Sequence, residues 1–115
     1  MKRGDIVLAI MPHVSGIPSK RRPALVVQAD YYNQKIGNVL LATITTNLKR
    51  RSDPAHLLID VSTPEGQQTG LNQNSLVSCI NIATLHAVDV GPKIGELPPQ
   101  VMAKVDDCLR AAFGI

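Results

Sequence analysis

The chain has 115 residues, a formal net charge of +3, and 44% apolar against 18% charged side chains. That composition fits one globular domain over residues 1–115 and excludes disorder, while no apolar run reaches the ~18 residues of a membrane helix. Cys79 and Cys108 are too few for a disulfide scaffold or a zinc site, no other metal or cofactor motif stands out, and Tyr31, Tyr32 and Phe113 are too few for a base-stacking platform.

The segment Met1-Lys2-Arg3-Gly4-Asp5 lacks an apolar leader, so the cytosol is the expected location. Residues 5–11 form an apolar run of strand length that Pro12 stops. Residues 12–22 hold Pro12, Gly16 and Pro18 before turning basic, which predicts a long loop of functional type. Residues 24–28 read as a second strand, residues 29–33 as one helical turn, and Gly37-Asn38 as a turn. Strands follow at 39–46, 56–61 and 75–82, with a basic loop over 47–54, a turn at 63–66 and a short strand near 87–90. Pro98-Pro99 opens a helix whose Val101, Met102, Val105, Cys108, Leu109 and Ala112 make one apolar stripe. Lys104, Asp106, Asp107 and Arg110 fall on its wet side, Gly114 stops it, and Phe113 is expected in the core. Short strands closed by one helix predict a mostly β protein, a small antiparallel barrel or strongly bent sheet with a C-terminal α-helix.

Charge is unevenly spread. Residues 1–51 carry nine Lys/Arg and two acids, a balance of +7, whereas residues 52–115 carry three Lys/Arg and seven acids, a balance of −4. Half of the basic side chains sit in two triplets, Lys20-Arg21-Arg22 and Lys49-Arg50-Arg51. Such asymmetry points to a polyanion-binding face. His13, His56 and His86 are scattered and read as structural or exposed; His13 is the one that shares a loop with a basic triplet. Both cysteines read as small core residues.

Arg22-Pro23 at a strand start and Thr43-x-Thr45-Thr46 at a strand end each adjoin a triplet. Those residue types suit phosphodiester chemistry on RNA, which carries its own nucleophile in the 2′-hydroxyl. A planar Arg fork can clamp phosphate oxygens, and a Thr hydroxyl can donate to one.

The opening Lys2-Arg3-Gly4-Asp5-Ile6-Val7 resembles that of the MazF/PemK toxin family, also called the Kid/CcdB-like barrel family. Arg22-Pro23-Ala24-Leu25-Val26-Val27 is similar to its second strand, and Leu41-Ala42-Thr43-Ile44-Thr45-Thr46 to its strand ending in Ile-Thr. Gly70-Leu71 with Ser75-Leu76-Val77, then Ile94-Gly95-Glu96-Leu97 and the closing helix, continue the resemblance in order along the chain. It implies an SH3-like barrel that dimerises, and a metal-independent, sequence-specific endoribonuclease that cuts single-stranded RNA and arrests growth. It also implies a cognate antitoxin whose tail covers the RNA groove. Carried over by position, the family's catalytic Arg and Thr fall on Arg22 and Thr45. Residues 13–21, including Lys20 and Arg21, would be a gating loop, and Asn47, Lys49, Arg50 and Arg51 would extend the basic rim. An Arg/Asp pair that flanks the fifth-strand Cys in some members is absent from Ser78-Cys79-Ile80, and an Arg common just after that strand is absent from Asn81-Ile82-Ala83-Thr84. Two other readings share the barrel: a DNA gyrase poison, which needs an aromatic C-terminal surface, and a non-catalytic RNA- or protein-binding module.

Overall fold

The computed structural model describes residues 1–12 and 20–115. His13 and most of the gating loop expected at 13–21 lie outside the described residues. Six strands, β1 (Asp5–Ala9), β2 (Arg22–Val26), β3 (Asn38–Thr45), β4 (His56–Ile59), β5 (Ser75–His86) and β6 (Lys93–Glu96), form one antiparallel sheet in the order β4-β5-β3-β2-β1-β6. Helical turns α1 (Asp30–Asn33) and α2 (Pro64–Gln67) punctuate it, and α3 (Pro99–Phe113) closes the chain. The mostly β fold with a C-terminal helix is therefore the one expected.

The sheet buries both faces, which is why its strands read as near-continuous apolar runs. On one face Ile6, Leu25, Ala42 and Ile44 meet Met102, Val105 and Cys108 of the α3 stripe. On the other, Val7, Ala9, Ala24, Val26, Val39 and Leu41 form a second cluster. Alternation assigns each side chain to one of these faces. Pro99 starts α3, and Gly114 ends it in the left-handed region at φ 72°, a conformation that costs glycine little.

Strand ends shift by one or two residues from expectation, β1 and β4 stopping early at Ala9 and Ile59 and β2 lying two residues earlier, and four larger differences stand out. The strand expected at 87–90 is a 3₁₀ turn, Ala87–Asp89, and the last strand is β6 instead. Lys-Ile-Gly-Glu has too little apolar character to signal a strand. It forms because β1 offers an open edge and because Gly95 lets residues 68–69 pass: a Cβ there would lie 2.2 Å from the Thr69 carbonyl group. Next, β5 runs four residues further than expected, to His86, and residues 83–86 pair with β3. Phe113 is not in the core but 67% exposed, since it is the last residue of α3, past Ala112 at the end of the stripe. Finally, Asp106 is not simply solvated; it takes a 2.6 Å ion pair from Arg3 and ties α3 to the N-terminus. Both cysteines are buried as expected. Burial pushes the Cys79 thiol up to about 12 and raises Cys108 as well.

Candidate functional site

Strand register decides which of the basic and hydroxyl side chains meet. In the β2–β3 ladder Ala24 faces Thr43, Leu25 faces Ala42 and Val26 faces Leu41. Continuing that register by two residues sets Arg22 opposite Thr45, on the strand face that also carries Ala24 and Thr43. Ile44 points the other way into the helix-covered core. Thr45 is half-exposed, whereas Thr43, on the same strand face, is buried, because the second cluster covers that face.

Arg22 and Thr45 line a depression of about 510 Å³ that Lys20 and Arg21 also reach. Its far wall is the segment leading into β5, Leu71 to Ser75. Gly70 holds that wall against β6: its φ is +72°, and a Cβ would sit 2.1 Å from the Ile94 carbonyl oxygen. Among the described residues no carboxylate lines the depression, and Lys20, Arg21 and Arg22 take part in none of the ion pairs. A basic triplet thus borders the depression with no anion among the described residues, the Arg21 guanidinium lying beside Gly91.

The Thr45 hydroxyl is oriented. Its Oγ1 accepts a 3.1 Å bond from the Asn47 N–H, which leaves its own proton to donate. Asn47 Oδ1 in turn accepts from the Lys49 N–H at 3.0 Å, fixing the start of the basic loop.

A second lobe of about 410 Å³ shares Thr43 and Thr45 with the first. Asn47, Lys49 and Arg50 border it, with Leu76 on its floor. Arg51 lines neither lobe; its guanidinium turns back to the Leu48 carbonyl at 3.1 Å. The expected site residues therefore gather around one two-lobed groove, apart from Arg51.

The second lobe contains a side-chain relay that the sequence did not announce. His56 is buried, not exposed. Its Nδ1 lies 2.7 Å from Asp53 Oδ2 and its Nε2 3.0 Å from Ser78 Oγ, which accepts a 3.1 Å bond from Asn81 Nδ2. Register builds the row, because Ser78 faces His56 on one side and Thr43 on the other. Between Ala42 and Thr43 the β3–β5 register jumps from Ile82 to Ser78, so residues 79–81 are extra. This bulge brings Asn81 back over Ser78, a re-aiming typical of bulges beside functional sites. The hydrogen bond to His56, followed by that from the Ala55 N–H, holds the Asp53 carboxyl below its ordinary value. The order Asp-His-Ser matches a hydrolase triad, but Ser78 is only 1% exposed and leaves no room for attack at its oxygen. Sequence gave no signal for this row, since Asp53, His56, Ser78 and Asn81 carry no periodic or motif spacing.

Residues 2–113 match the family described as PemK-like, MazF-like toxin of type II toxin-antitoxin system. An endoribonuclease MazF2 of Mycobacterium bovis is 35% identical over 117 aligned residues, spanning 100% of this chain and 98% of the relative. The solved Mycobacterium tuberculosis toxin MazF-mt6 superposes with a TM-score of 0.75 at 28% identity, covering 96% of this chain and 97% of that one. A mycobacterial endoribonuclease solved in complex with its cognate antitoxin shares the fold, with a TM-score of 0.78 at 23% identity over 100% of this chain and 96% of the other.

Proposed function

The chain belongs to the PemK-like, MazF-like toxin family of type II toxin–antitoxin systems, and from that premise we propose that it is a metal-independent endoribonuclease cutting single-stranded RNA at the Arg22/Thr45 groove. The observation that carries this reading is the convergence of an unpaired cationic triplet and an oriented hydroxyl on adjacent strand ends.

The RNA supplies the nucleophile. Its 2′-hydroxyl attacks the adjacent phosphorus, the bond to the 5′-oxygen of the next nucleotide breaks, and the products are a 2′,3′-cyclic phosphate and a 5′-hydroxyl. Negative charge grows on the phosphorane oxygens during attack. The Arg22 fork stabilises that charge, and the Thr45 hydroxyl donates to one of the oxygens. Lys20 and Arg21 draw in the phosphate backbone, as do Asn47, Lys49 and Arg50 across the second lobe. Arg51 contributes through general charge.

The same groove, rich in unpaired cations, suits an acidic antitoxin segment, and antitoxin complexes are known for solved proteins that share this fold. Acting on RNA, the protein works in the cytosol; no helix among the described residues is long and apolar enough to cross a membrane. Residues 1–115 act as one domain, and that domain pairs with a second copy. Ile36, Leu40 and Val88 leave apolar surface open at 50%, 39% and 92% exposure, and a stable pair would cover more than ~1,000 Å². Sedimentation at micromolar concentration as a monomer would remove the dimer.

The gyrase-poison reading needs an aromatic C-terminal surface, and Phe113 does stand exposed. The curated relatives of this chain nevertheless include proteins named as endoribonucleases. Incubation with RNA in EDTA tests the proposal directly. The expected outcome is cleavage with 5′-hydroxyl ends, abolished by a 2′-deoxy sugar at the cut. Products with 5′-phosphates, or cutting of the deoxy substrate, would refute the mechanism.

A further inference from the structure

The Asp53–His56–Ser78–Asn81 relay plays no part in the phosphate chemistry, yet it ends in the groove. Each hydrogen bond in it dictates the direction of the next. Asp53 Oδ2 accepts from the Ala55 N–H, so it is the acceptor toward His56 too, and His56 carries its proton on Nδ1. In the neutral ring Nε2 is then an acceptor, so the Ser78 hydroxyl donates to it. With its proton committed, Ser78 Oγ can only accept, and the Asn81 carboxamide must turn its Nδ2 inward. The buried members, Ser78 and His56 at 1% and 8% exposure, lie between two exposed ends, Asp53 on the solvent side and Asn81 open to the lobe. Its Oδ1 and second Nδ2–H are left for a ligand, in a fixed order.

The surroundings suit one kind of ligand. The lobe has a small-ligand volume, an apolar floor at Leu76, and Lys49 and Arg50 at its border. Among the described residues no carboxylate lines it. It shares Thr43 and Thr45 with the lobe that holds Arg22, so a strand with its phosphate at Arg22 and Thr45 sets a neighbouring nucleotide here. We infer that the second lobe is a nucleobase-reading subsite beside the scissile phosphate, with Asn81 as the specificity-determining residue and Asp53, His56 and Ser78 as the positioning residues that lock its amide. This rests on the endoribonuclease reading above. A carboxamide offers one acceptor and one donor side by side and pairs with a base edge at two points, as Asn does with adenine. A freely turning amide could present either order and would discriminate poorly. A locked amide accepts one order only.

The test is the base composition at cut ends from a randomised RNA pool, compared for the native protein, Ser78→Ala and Asn81→Asp. The native protein should show a preference at one position next to the cut. Ser78→Ala unlocks the amide and should flatten that position roughly tenfold, about one base-pairing contact, leaving preferences elsewhere intact. Asn81→Asp lies on the surface and keeps the fold. It replaces both amide donors, the one held on Ser78 and the free one, with carboxylate oxygens, so the same position should switch toward bases that present an amino group. A purely structural role for the relay would slow all sequences alike. If Asn81→Asp cuts with the native preference unchanged, the subsite is refuted while the endoribonuclease stands. If the native protein cuts no RNA at all, the activity fails and the subsite with it.

Discussion

The two lobes of the groove are built on opposite electrostatic plans. Around Arg22 the basic triplet meets no anion among the described residues, so the lobe waits for charge from outside. Around His56 the buried polar groups already have their partners, and among the described residues no buried side-chain N or O is left unpaired. The first arrangement favours stabilising charge that develops in a reaction; the second favours holding a shape. The basic triplets divide in the same way. Arg22 enters a strand whose register, continued past the Ala24–Thr43 pair, sets it opposite Thr45, whereas Lys49-Arg50-Arg51 lies on a turn and Arg51 folds back on its own loop.

Removing one guanidinium from each triplet separates strand register from net charge. Arg22→Ala should lower cleavage by at least about 100-fold, the scale of one lost transition-state donor near 3 kcal/mol, with circular dichroism and melting unchanged. Arg22→Lys should restore little, because an ammonium lacks the planar fork. Arg51→Ala should change the rate less than about twofold, as for an exposed charge with no site contact. Equal losses from the two variants would show that net charge, not strand register, sets the rate.

A smaller effect separates hydroxyl from scaffold within the first lobe. Thr45→Val keeps strand shape but removes the donor, and should cost about tenfold, one decade for ~1.4 kcal/mol. Thr45→Ser should recover most of it, since the Asn47 N–H can again bond the hydroxyl and leave its proton free. A Val variant as active as the native protein would leave Thr45 as a strand former only.

The first lobe was legible in the sequence because its parts are local: a basic triplet entering an apolar run, and threonines alternating with Ile44. The α3 stripe was legible for the same reason, a period of 3.6 over fifteen residues. The second lobe was not. His56, Ser78 and Asn81 are brought together by β4–β5 register and a bulge in β5, and neither leaves a mark in the order of residues. β6 escaped for a related reason: it is a strand because of the edge it pairs with, not because of its composition. Phe113 shows the reverse error, where an aromatic type suggested burial and its place at the very end of α3 left it exposed.

The outer rim should contribute to binding more than to chemistry. Lys49→Ala with Arg50→Ala should weaken RNA binding several-fold and flatten the salt dependence of log affinity by about 1.4, at ~0.7 per single-strand phosphate contact. The rate on saturating RNA should stay within about twofold. A fall in the saturated rate with an unchanged salt slope would move these residues from the rim into the reaction.

The smallest expected effect lies at the exposed start of the relay and concerns acid. The Asp53 carboxyl is held below its ordinary value of 3.8, first by the His56 side chain and then by the Ala55 N–H. A carboxyl depressed in the folded state binds fewer protons there than in the unfolded chain, so its stabilisation is fully present above the ordinary value. It is lost as pH falls through the lower, folded value. Asp53→Asn removes this titration and keeps the outline of the side chain. At pH 7 the native protein should melt above the variant by about two degrees, a small gap because the carboxylate is exposed to solvent. The gap should close as the pH is lowered below about 4. A gap that is constant across that range would mean that Asp53 acts on the fold through shape and not through charge, and that the His56 proton is held on Nδ1 without it.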